Sequence, residues 1–201
     1  MRTLKQIIED EKLSIIHHSI DHYGTDKDIH PYVDEYYDKN FVRLRDENII
    51  LVEIGVRGGA SLSLWKNYFH NARKIYGMDN LETNNNHNIP VNDNWVSGNN
   101  VEYIIGDAYL EEVSNKIPNN IDIFIDDGPH TVDSHIKAIE LYIPKMNKNG
   151  IFILEDIMYD ANEVLYSRFP EEYRDYVIVY DFGDTKLLTL DFSQIQNSNS
   201  N

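Results

Sequence analysis

The sequence contains no cysteine among its 201 residues. This absence excludes disulfide scaffolds, zinc sites built on thiolates and a cysteine nucleophile, and it is compatible with a reducing cytoplasm, where we expect the protein. Basic residues are also few, since 18 Lys and Arg stand against 34 Asp and Glu for a formal net charge of -16. That charge repels a phosphate backbone, so we expect no nucleic-acid partner.

Long hydrophobic runs are absent too. A helix that crosses a bilayer needs about 20 predominantly apolar residues, and every apolar stretch here is shorter. Residues 1–20 carry charges throughout, which does not fit a secretion signal, and we expect no membrane partner. Hydrophobic residues nevertheless make up 41% of the chain, enough for the core of one domain with a small extension.

The order of the apolar segments predicts an α/β fold. Five short apolar runs alternate with stretches of helical periodicity, and two further runs surround a turn at Gly183-Asp184. Such alternation predicts a central, mostly parallel, seven-stranded sheet with helices on both faces. We predict a helical N-terminal extension over residues 1–45, a ligand-binding α/β domain over residues 46–192 and a frayed polar tail over residues 193–201.

The individual elements follow from the same periodicities. The predicted strands are Ile49–Ile54, Lys74–Met78, Val101–Ile105, Ile121–Ile125, Ile151–Leu154, Val177–Tyr180 and Leu187–Leu190. The predicted helices are Met1–Ile20, Tyr32–Leu44, a helix capped by Ser61, Ala108–Lys116, a helix that buries Val132, Ile136, Ile139 and Ile143, and Ala161–Phe169. Residues 80–100 are rich in Asn and predict a long loop of functional or mobile character.

Acidic or glycine residues lie at the carboxyl end of each of the first five predicted strands, and this recurrence is the most informative feature of the chain. They are Glu53 with Gly55, Asp79, Gly106 with Asp107, Asp126 with Asp127, and Glu155 with Asp156. In open α/β sheets, ligands bind outside the carboxyl ends of the strands. Carboxylates gathered at one rim repel each other, so we expect a ligand or a cation to offset their charge.

The turn after the first strand reads Glu53-x-Gly55-x-Arg57-x-Gly59. Glycines there let the backbone approach a ligand closely. The turn is not G-x-G-x-x-G, which weakens the alternative of a nicotinamide-dependent oxidoreductase. It resembles the first motif of class I S-adenosylmethionine-dependent methyltransferases, an acidic residue followed by alternating glycines, with Arg57 in place of the middle glycine. By this resemblance, Asp79 grips the ribose hydroxyls, and Asp107 and Ala108 contact adenine.

A second candidate site follows the fourth and fifth strands. Asp126 and Asp127 end one strand and Glu155 and Asp156 end the next. We expect three carboxylates from these two adjacent strand ends to converge and form a cage of hard oxygen ligands. Mg²⁺ suits such a cage, with Mn²⁺ or Ca²⁺ as alternatives. His130 lies just beyond these carboxylates, in a position to take a proton during catalysis.

Six motifs together extend the resemblance from about residue 22 to residue 156. They are GTDK, EIGVRGGASLSLWKNYF, YGMD, GDAY, IDDGPH and LEDI, in this order. The combination resembles the metal-dependent sugar O-methyltransferases that act on macrolide-linked deoxysugars, among them the mycinamicin enzymes, and IDDGPH with LEDI is its specific part. The resemblance implies a Rossmann-like class I methyltransferase fold, S-adenosyl-L-methionine as co-substrate and Mg²⁺ or Mn²⁺ as metal.

The resemblance also implies residue roles. Asp127, Glu155 and Asp156 are the implied metal ligands, and His130 is the implied general base, with Asp127 as its catalytic neighbour. The loop Gly24–Lys27 is expected to close over cofactor or substrate. The residues that we predict to contact the cofactor are Thr25, Lys27, Glu53, Gly55, Arg57, Gly59, Ser61, Asp79, Asp107, Ala108 and Asp126.

The implied reaction is methyl transfer to a hydroxyl of a sugar, a nucleotide sugar or another sugar-containing small molecule. Two alternatives stay open at this point. One is a methyltransferase of the same fold that acts on a phenol or a phosphorylated metabolite, and the other is a non-catalytic S-adenosylmethionine-binding module. The sequence leaves open whether the protein forms a homo-oligomer.

Overall fold

The computed structural model describes residues 2–18, 24–81, 91–98, 100–158 and 161–198. Its strands are β1 Ile50–Ile54, β2 Lys74–Asp79, β3 Val101–Ile105, β4 Ile121–Asp126, β5 Met146–Leu154, β6 Val177–Asp181 and β7 Lys186–Asp191. Its α-helices are α1 Leu4–Asp10, α2 Asp38–Phe41, α3 Ala60–Tyr68, α4 Asp93–Val96, α5 Glu111–Ser114, α6 Val132–Tyr142, α7 Asn162–Arg168 and α8 Phe192–Ser198. The strand predictions are confirmed, although β5 begins at Met146 rather than Ile151.

The strands belong to two units, which we describe separately. The first unit comprises Met1–Ile49 and Val56–Gly106, and the second comprises Ile50–Gly55 and Asp107–Asn201. In the second unit the strand order is β1-β4-β5-β7-β6, with β1, β4 and β5 parallel and the closing hairpin antiparallel. In the first unit β2 and β3 form a parallel pair. The mostly parallel seven-stranded sheet is therefore confirmed, while the predicted domain boundaries stay a prediction.

An aromatic cluster forms the core of the first unit. The Trp65 ring on α3 lies edge-on to Tyr37 and Phe41, with ring centroids 5.6 and 5.8 Å apart. Phe69 completes the cluster, 5.6 Å from Phe41. Edge-to-face pairs at these distances add attraction to the burial of large apolar surfaces. The helical segment before β1 is held to α3 by this packing, as its apolar stripe predicts.

Buried apolar runs build the core of the second unit. β1, β4 and the last part of β5 are buried along their length, as expected of strands covered on both faces. The Phe124 ring stacks between Tyr142 of α6 and Phe152 of β5, at centroid distances of 4.6 and 4.7 Å. This packing fixes α6 against the sheet, and α6 begins directly after the candidate metal motif.

Two predictions about the first unit are wrong. The helix expected over residues 1–20 ends at Asp10, because Lys12 has a left-handed φ of 53° and the chain then pairs Ser14 with Thr25 in an extended bridge. Ser61 does not cap α3: the cap is Gly59, with a φ of 95°, so the helix begins at Ala60, two residues earlier than a Ser61 cap would place it, and Ser61 is buried in the first turn. A glycine suits that position because few other residues adopt a left-handed φ.

Three further elements differ from expectation in extent. The helix predicted over residues 108–116 is confined to α5, because Asp107 Oδ1 accepts a hydrogen bond from Tyr109 N at 3.0 Å and forms a turn instead. The tail expected to fray forms α8, which Asp191 Oδ1 caps by accepting from Ser193 N at 3.0 Å. The Asn-rich loop contains α4, while residues 82–90 and 99 lie outside the described residues.

The buried face of α6 matches the predicted one only in part. Ile139 and Ile143 are buried as predicted, whereas Val132 and Ile136 are half-buried. The helix also buries His135, Ala138 and Tyr142. Within the described ranges, no helix combines the length and hydrophobicity that crossing a membrane requires.

Candidate active site

The three parallel strands of the second unit end in register. Asp126, the last residue of β4, lies opposite Ile54 of β1 and Leu154 of β5. The pairing continues one step further, because Asp127 N donates to Ile54 O at 3.0 Å and Glu155 N donates to Asp126 O at 2.9 Å. The acidic residues that follow these strands therefore stand at the same level of the sheet edge.

Three carboxylates meet at this edge. Side chains alternate between the two faces of a sheet, so Glu53, Asp127 and Glu155 project to one face. One carboxylate oxygen from each lies within 4.8 Å of the others. Glu53 and Glu155 are almost fully buried, at 0% and 1% exposure. Like charges at this spacing repel each other, and a bound cation would offset that repulsion.

A second group of three shares Asp127 with the first. His130 Nε2 lies 3.8 Å from Asp127 Oδ1 and 3.6 Å from Asp156 Oδ2, and all three side chains are partly exposed. We refer to Glu53, Asp127, His130, Glu155 and Asp156 as the acidic cluster. Asp127 lies in both groups and is thus the central member of the cluster.

Two members of the acidic cluster have a backbone conformation that side-chain-bearing residues rarely adopt. His130 and Asp156 have φ values of 54° and 53°. Outside glycine, such left-handed residues are uncommon, and Asn and Asp tolerate the conformation best. Strained residues of this kind concentrate at functional sites, where the surrounding structure holds them in place.

Gly55, the residue after β1, lies against the backbone of Asp127 in the acidic cluster. Its φ is 83°, and a Cβ added there would collide with the carbonyl oxygen of Asp127. A glycine is therefore required at position 55, because the turn after β1 packs directly against the backbone of Asp127. The close approach observed here is to Asp127, and the predicted approach of Gly55 to a ligand stays a prediction.

Asp126 faces away from the acidic cluster. Its Oδ1 accepts hydrogen bonds from Tyr109 Oη at 2.6 Å and from Gly128 N at 3.2 Å, and its Oδ2 lies 3.2 Å from His135 Nδ1. A carboxylate only accepts, so we assign the proton of this contact to Nδ1 of the imidazole. Asp126 is fully buried. These hydrogen bonds fix the turn that bears Asp127, and the predicted contact of Asp126 with the cofactor stays a prediction.

Tyr109 and His135 contact Asp126 beside the candidate site, and the sequence analysis did not predict either of them. Burial, reinforced by the charge of Asp126, raises the pKa of Tyr109, so the phenol stays a protonated donor. His135 had one available signal, because it lies at helical spacing with Ala138, Ile139 and Tyr142, all of them buried. A histidine on an apolar helix face requires a buried partner, and here that partner is Asp126.

In the first unit, Asp79 organises the loop that contains Arg57. Asp79 Oδ2 accepts from Arg57 N at 2.7 Å, and Oδ1 accepts from Leu81 N at 2.6 Å. Tyr103 Oη donates to the carbonyl of Arg57 at 3.1 Å, and burial together with the nearby Asp79 raises the pKa of Tyr103. Arg57 itself is exposed and has a left-handed φ of 46°. The carboxylate predicted to grip ribose is therefore held rigidly by backbone donors.

The GTDK loop is tied to the chain that follows α1. Thr25 N donates to Leu13 O, and Ile15 N donates to Thr25 O, both at 2.8 Å. Thr25 and Lys27 are buried in the first unit. The closing motion that the resemblance implies for this loop stays a prediction.

The other predicted cofactor residues have varied surroundings. Ser61 and Gly59 belong to the start of α3. Ala108 is buried and its carbonyl accepts from Tyr142 Oη at 2.7 Å, whereas Asp107 is exposed. Their contacts with a cofactor stay predictions.

The donor set of the acidic cluster fits a small divalent cation. Mg²⁺ prefers carboxylate oxygens at about 2.0–2.1 Å, so two ligands on opposite sides of it are separated by about 4.2 Å. The candidate ligand atoms in each group lie within 4.8 Å of one another. Each of the two groups thus suits Mg²⁺ or Mn²⁺ in donor chemistry and in spacing. Glu155 and Asp156 fall in different groups, so the set of Asp127, Glu155 and Asp156 around one ion stays a prediction.

Comparison with known proteins adds a family and several relatives. The family of methyltransferase domains matches residues 52–157, more than half of the chain. An 8-demethyl-8-alpha-L-rhamnosyl tetracenomycin-C 2'-O-methyltransferase of Streptomyces olivaceus is 32% identical over 147 residues, which are 67% of this chain and 35% of that protein. Mycinamicin VI 2''-O-methyltransferase of Micromonospora griseorubida is 28% identical over 61% of this chain and 30% of its own length.

The solved structures agree on the fold. The MycE methyltransferase of the mycinamycin biosynthetic pathway, in complex with Mg and SAH, superposes with a TM-score of 0.60 at 20% identity, covering 81% of this chain and 50% of that one. Likeness at this identity shows the Rossmann-like fold. The chain spans about a third of the length of the curated relatives named above.

Proposed function

Because the chain belongs to the family of methyltransferase domains, which matches residues 52–157, we propose that it transfers a methyl group from S-adenosylmethionine to a hydroxyl of a sugar or sugar-containing small molecule, assisted by Mg²⁺ or Mn²⁺. The observation that carries this proposal is the acidic cluster, in which His130 lies within 3.6–3.8 Å of two candidate metal ligands. Relatives named as methyltransferases of rhamnosyl tetracenomycin and mycinamicin support a sugar acceptor.

Several residues of the chain have the chemistry to bind the methyl donor, S-adenosylmethionine. We propose that Asp79 accepts hydrogen bonds from the ribose hydroxyls of S-adenosylmethionine. Its two oxygens each accept one backbone N–H, and each keeps a lone pair for a further donor. Asp107 and Ala108 are the proposed adenine contacts.

The chain's groups also suit an alcohol acceptor, whose hydroxyl is a poor nucleophile at neutral pH. Asp127, Glu155 and Asp156 would hold the ion. A bound divalent cation supplies Lewis acidity that favours loss of the hydroxyl proton. His130 Nε2 accepts that proton while the oxygen forms its bond to the methyl carbon, the carbon–sulfur bond breaks and S-adenosylhomocysteine leaves. The carboxylates of Asp127 and Asp156 then stabilise the imidazolium.

Calorimetry tests the donor half of this proposal. We expect S-adenosylmethionine and S-adenosylhomocysteine to bind with or without Mg²⁺, and NAD to give no heat. Asp79→Asn should weaken binding about tenfold, because one charge-assisted acceptor is lost. Asp93→Asn, an exposed change on α4 in the same unit, is the matched control and should leave binding unchanged. Absence of heat with both sulfur compounds would contradict the proposal.

A further inference from the structure

Thr185 contacts the acidic cluster from a part of the chain that no motif marks. Its Oγ1 donates a hydrogen bond to Asp156 Oδ1 at 2.5 Å, across 29 residues of sequence. Thr185 is 7% exposed, so water competes little for this contact. A hydroxyl that donates to an ionised carboxylate makes one of the stronger hydrogen bonds open to a neutral side chain.

The hairpin of β6 and β7 holds Thr185 in place. Phe182 N donates to Thr185 O at 3.0 Å and closes the turn between the two strands. Ile157 N donates to Lys186 O at 3.1 Å, which extends the β5–β7 pairing beyond the end of β5. Backbone hydrogen bonds therefore lie directly beside the Thr185–Asp156 contact on both chain segments.

The two carboxylate oxygens of Asp156 face different neighbours. Oδ1 accepts from Thr185, whereas Oδ2 lies 3.6 Å from His130 Nε2 within the acidic cluster. A carboxylate with one oxygen fixed in this way cannot rotate about its terminal bond without breaking the hydrogen bond. One oxygen thus stays directed at the cluster.

We propose that Thr185 is a positioning residue, which holds Asp156 so that a single oxygen, Oδ2, binds the divalent cation. This inference rests on the proposed function. Groups that orient metal ligands commonly change metal affinity about 10- to 100-fold when they are removed. Thr185 does not bind the ion itself, and the ligand set stays Asp127, Glu155 and Asp156.

Mn²⁺ affinity, measured by electron paramagnetic resonance without acceptor, tests this role. Thr185→Val keeps the shape and removes the hydroxyl, and we expect binding to weaken about 10- to 100-fold. Thr185→Ser restores the hydroxyl and should recover most of the affinity. Thr189→Val is the matched control: Thr189 is a buried threonine on β7 whose hydroxyl donates to Ile178 O, and its loss should leave Mn²⁺ affinity unchanged.

The outcomes separate the inference from the proposed function. If the unaltered chain binds no Mn²⁺, the proposed metal assistance fails. If it binds Mn²⁺ and both Thr185→Val and a second hydroxyl-free variant, Thr185→Ala, bind equally well, the positioning role fails. Turnover gives another readout, because saturating Mn²⁺ should restore the kcat of Thr185→Val. A kcat that stays low with unchanged Mn²⁺ affinity would point to disturbed folding of the hairpin and contradict the inference.

Discussion

Replacing His130 with Asn should lower methyl transfer about 10²- to 10⁴-fold, the usual contribution of a general base. The imidazole Nε2 lies beside Asp127 and Asp156, whose charges favour its protonated form once it has taken the acceptor's proton. Asn is chosen because it tolerates the left-handed backbone at this position, with its φ of 54°. Binding of S-adenosylmethionine should change less than about twofold, because the role assigned to His130 is in chemistry.

The measurement is release of S-adenosylhomocysteine with rhamnosyl tetracenomycin as the acceptor probe. His70→Asn is the matched control, since His70 is an exposed histidine of the first unit, 3.7 Å from Asp46. We expect the control to keep full turnover. Turnover of His130→Asn at the level of this control would remove His130 from the mechanism.

Asp127→Asn should abolish both Mn²⁺ binding and turnover, with an affinity loss of more than about 100-fold, beyond that of groups that only orient ligands. Asp127 belongs to both groups of the acidic cluster, so its charge matters to every arrangement of the ion. In the unaltered protein, chelation with EDTA should stop turnover, and added Mg²⁺ or Mn²⁺ should restore it. Asp133→Asn, an exposed change in the first turn of α6, is the control.

Thermal unfolding distinguishes loss of a metal ligand in Asp127→Asn from misfolding of the variant. Without metal, Asp127→Asn should be as stable as the unaltered protein or more so, because it removes one of several repelling charges. With Mn²⁺ at about 100 times its dissociation constant, the unaltered protein should gain about 2.7 kcal/mol, and the variant should gain nothing. A variant that melts earlier without metal would show that Asp127 has a folding role instead.

The sheet could be predicted from the sequence because its strands are unambiguous. β1, β4 and the end of β5 are short apolar runs, and acidic residues lie at or directly after the carboxyl end of each. Parallel strands end at one edge, so the meeting of Asp127 with Glu155 follows from topology alone. That Glu53 joins them requires the register as well, and the sequence pattern assigned Glu53 to the cofactor instead.

The different roles of the adjacent residues Asp126 and Asp127 could not be predicted from the sequence. Asp126 and Asp127 look equivalent in the motif, but alternation along β4 sends Asp126 to the opposite face, where Tyr109 and His135 hold it. Local patterns do not report such long-range partners. Thr185 gives no signal at all, because its role depends on how the hairpin pairs with the end of β5.

The predicted end of α1 and the predicted start of α3 were wrong for a related reason. The apolar spacing of residues 1–20 continues past Asp10, yet the pairing of Ser14 with Thr25 competes successfully for the backbone. The start of α3 depends on the positive φ of Gly59. Glycine adopts positive and negative φ values about equally well, so the sequence does not determine which one occurs there. Tertiary pairing thus sets the end of α1, and a local backbone conformation sets the start of α3.

Anomalous diffraction from a crystal soaked with Mn²⁺ and S-adenosylhomocysteine tests the central claim most directly, because it locates the ion without reference to activity. We predict one strong peak at about 2.0–2.4 Å from carboxylate oxygens of Asp127, Glu155 and Asp156. At saturating Mn²⁺, no peak among these three carboxylates would contradict the account.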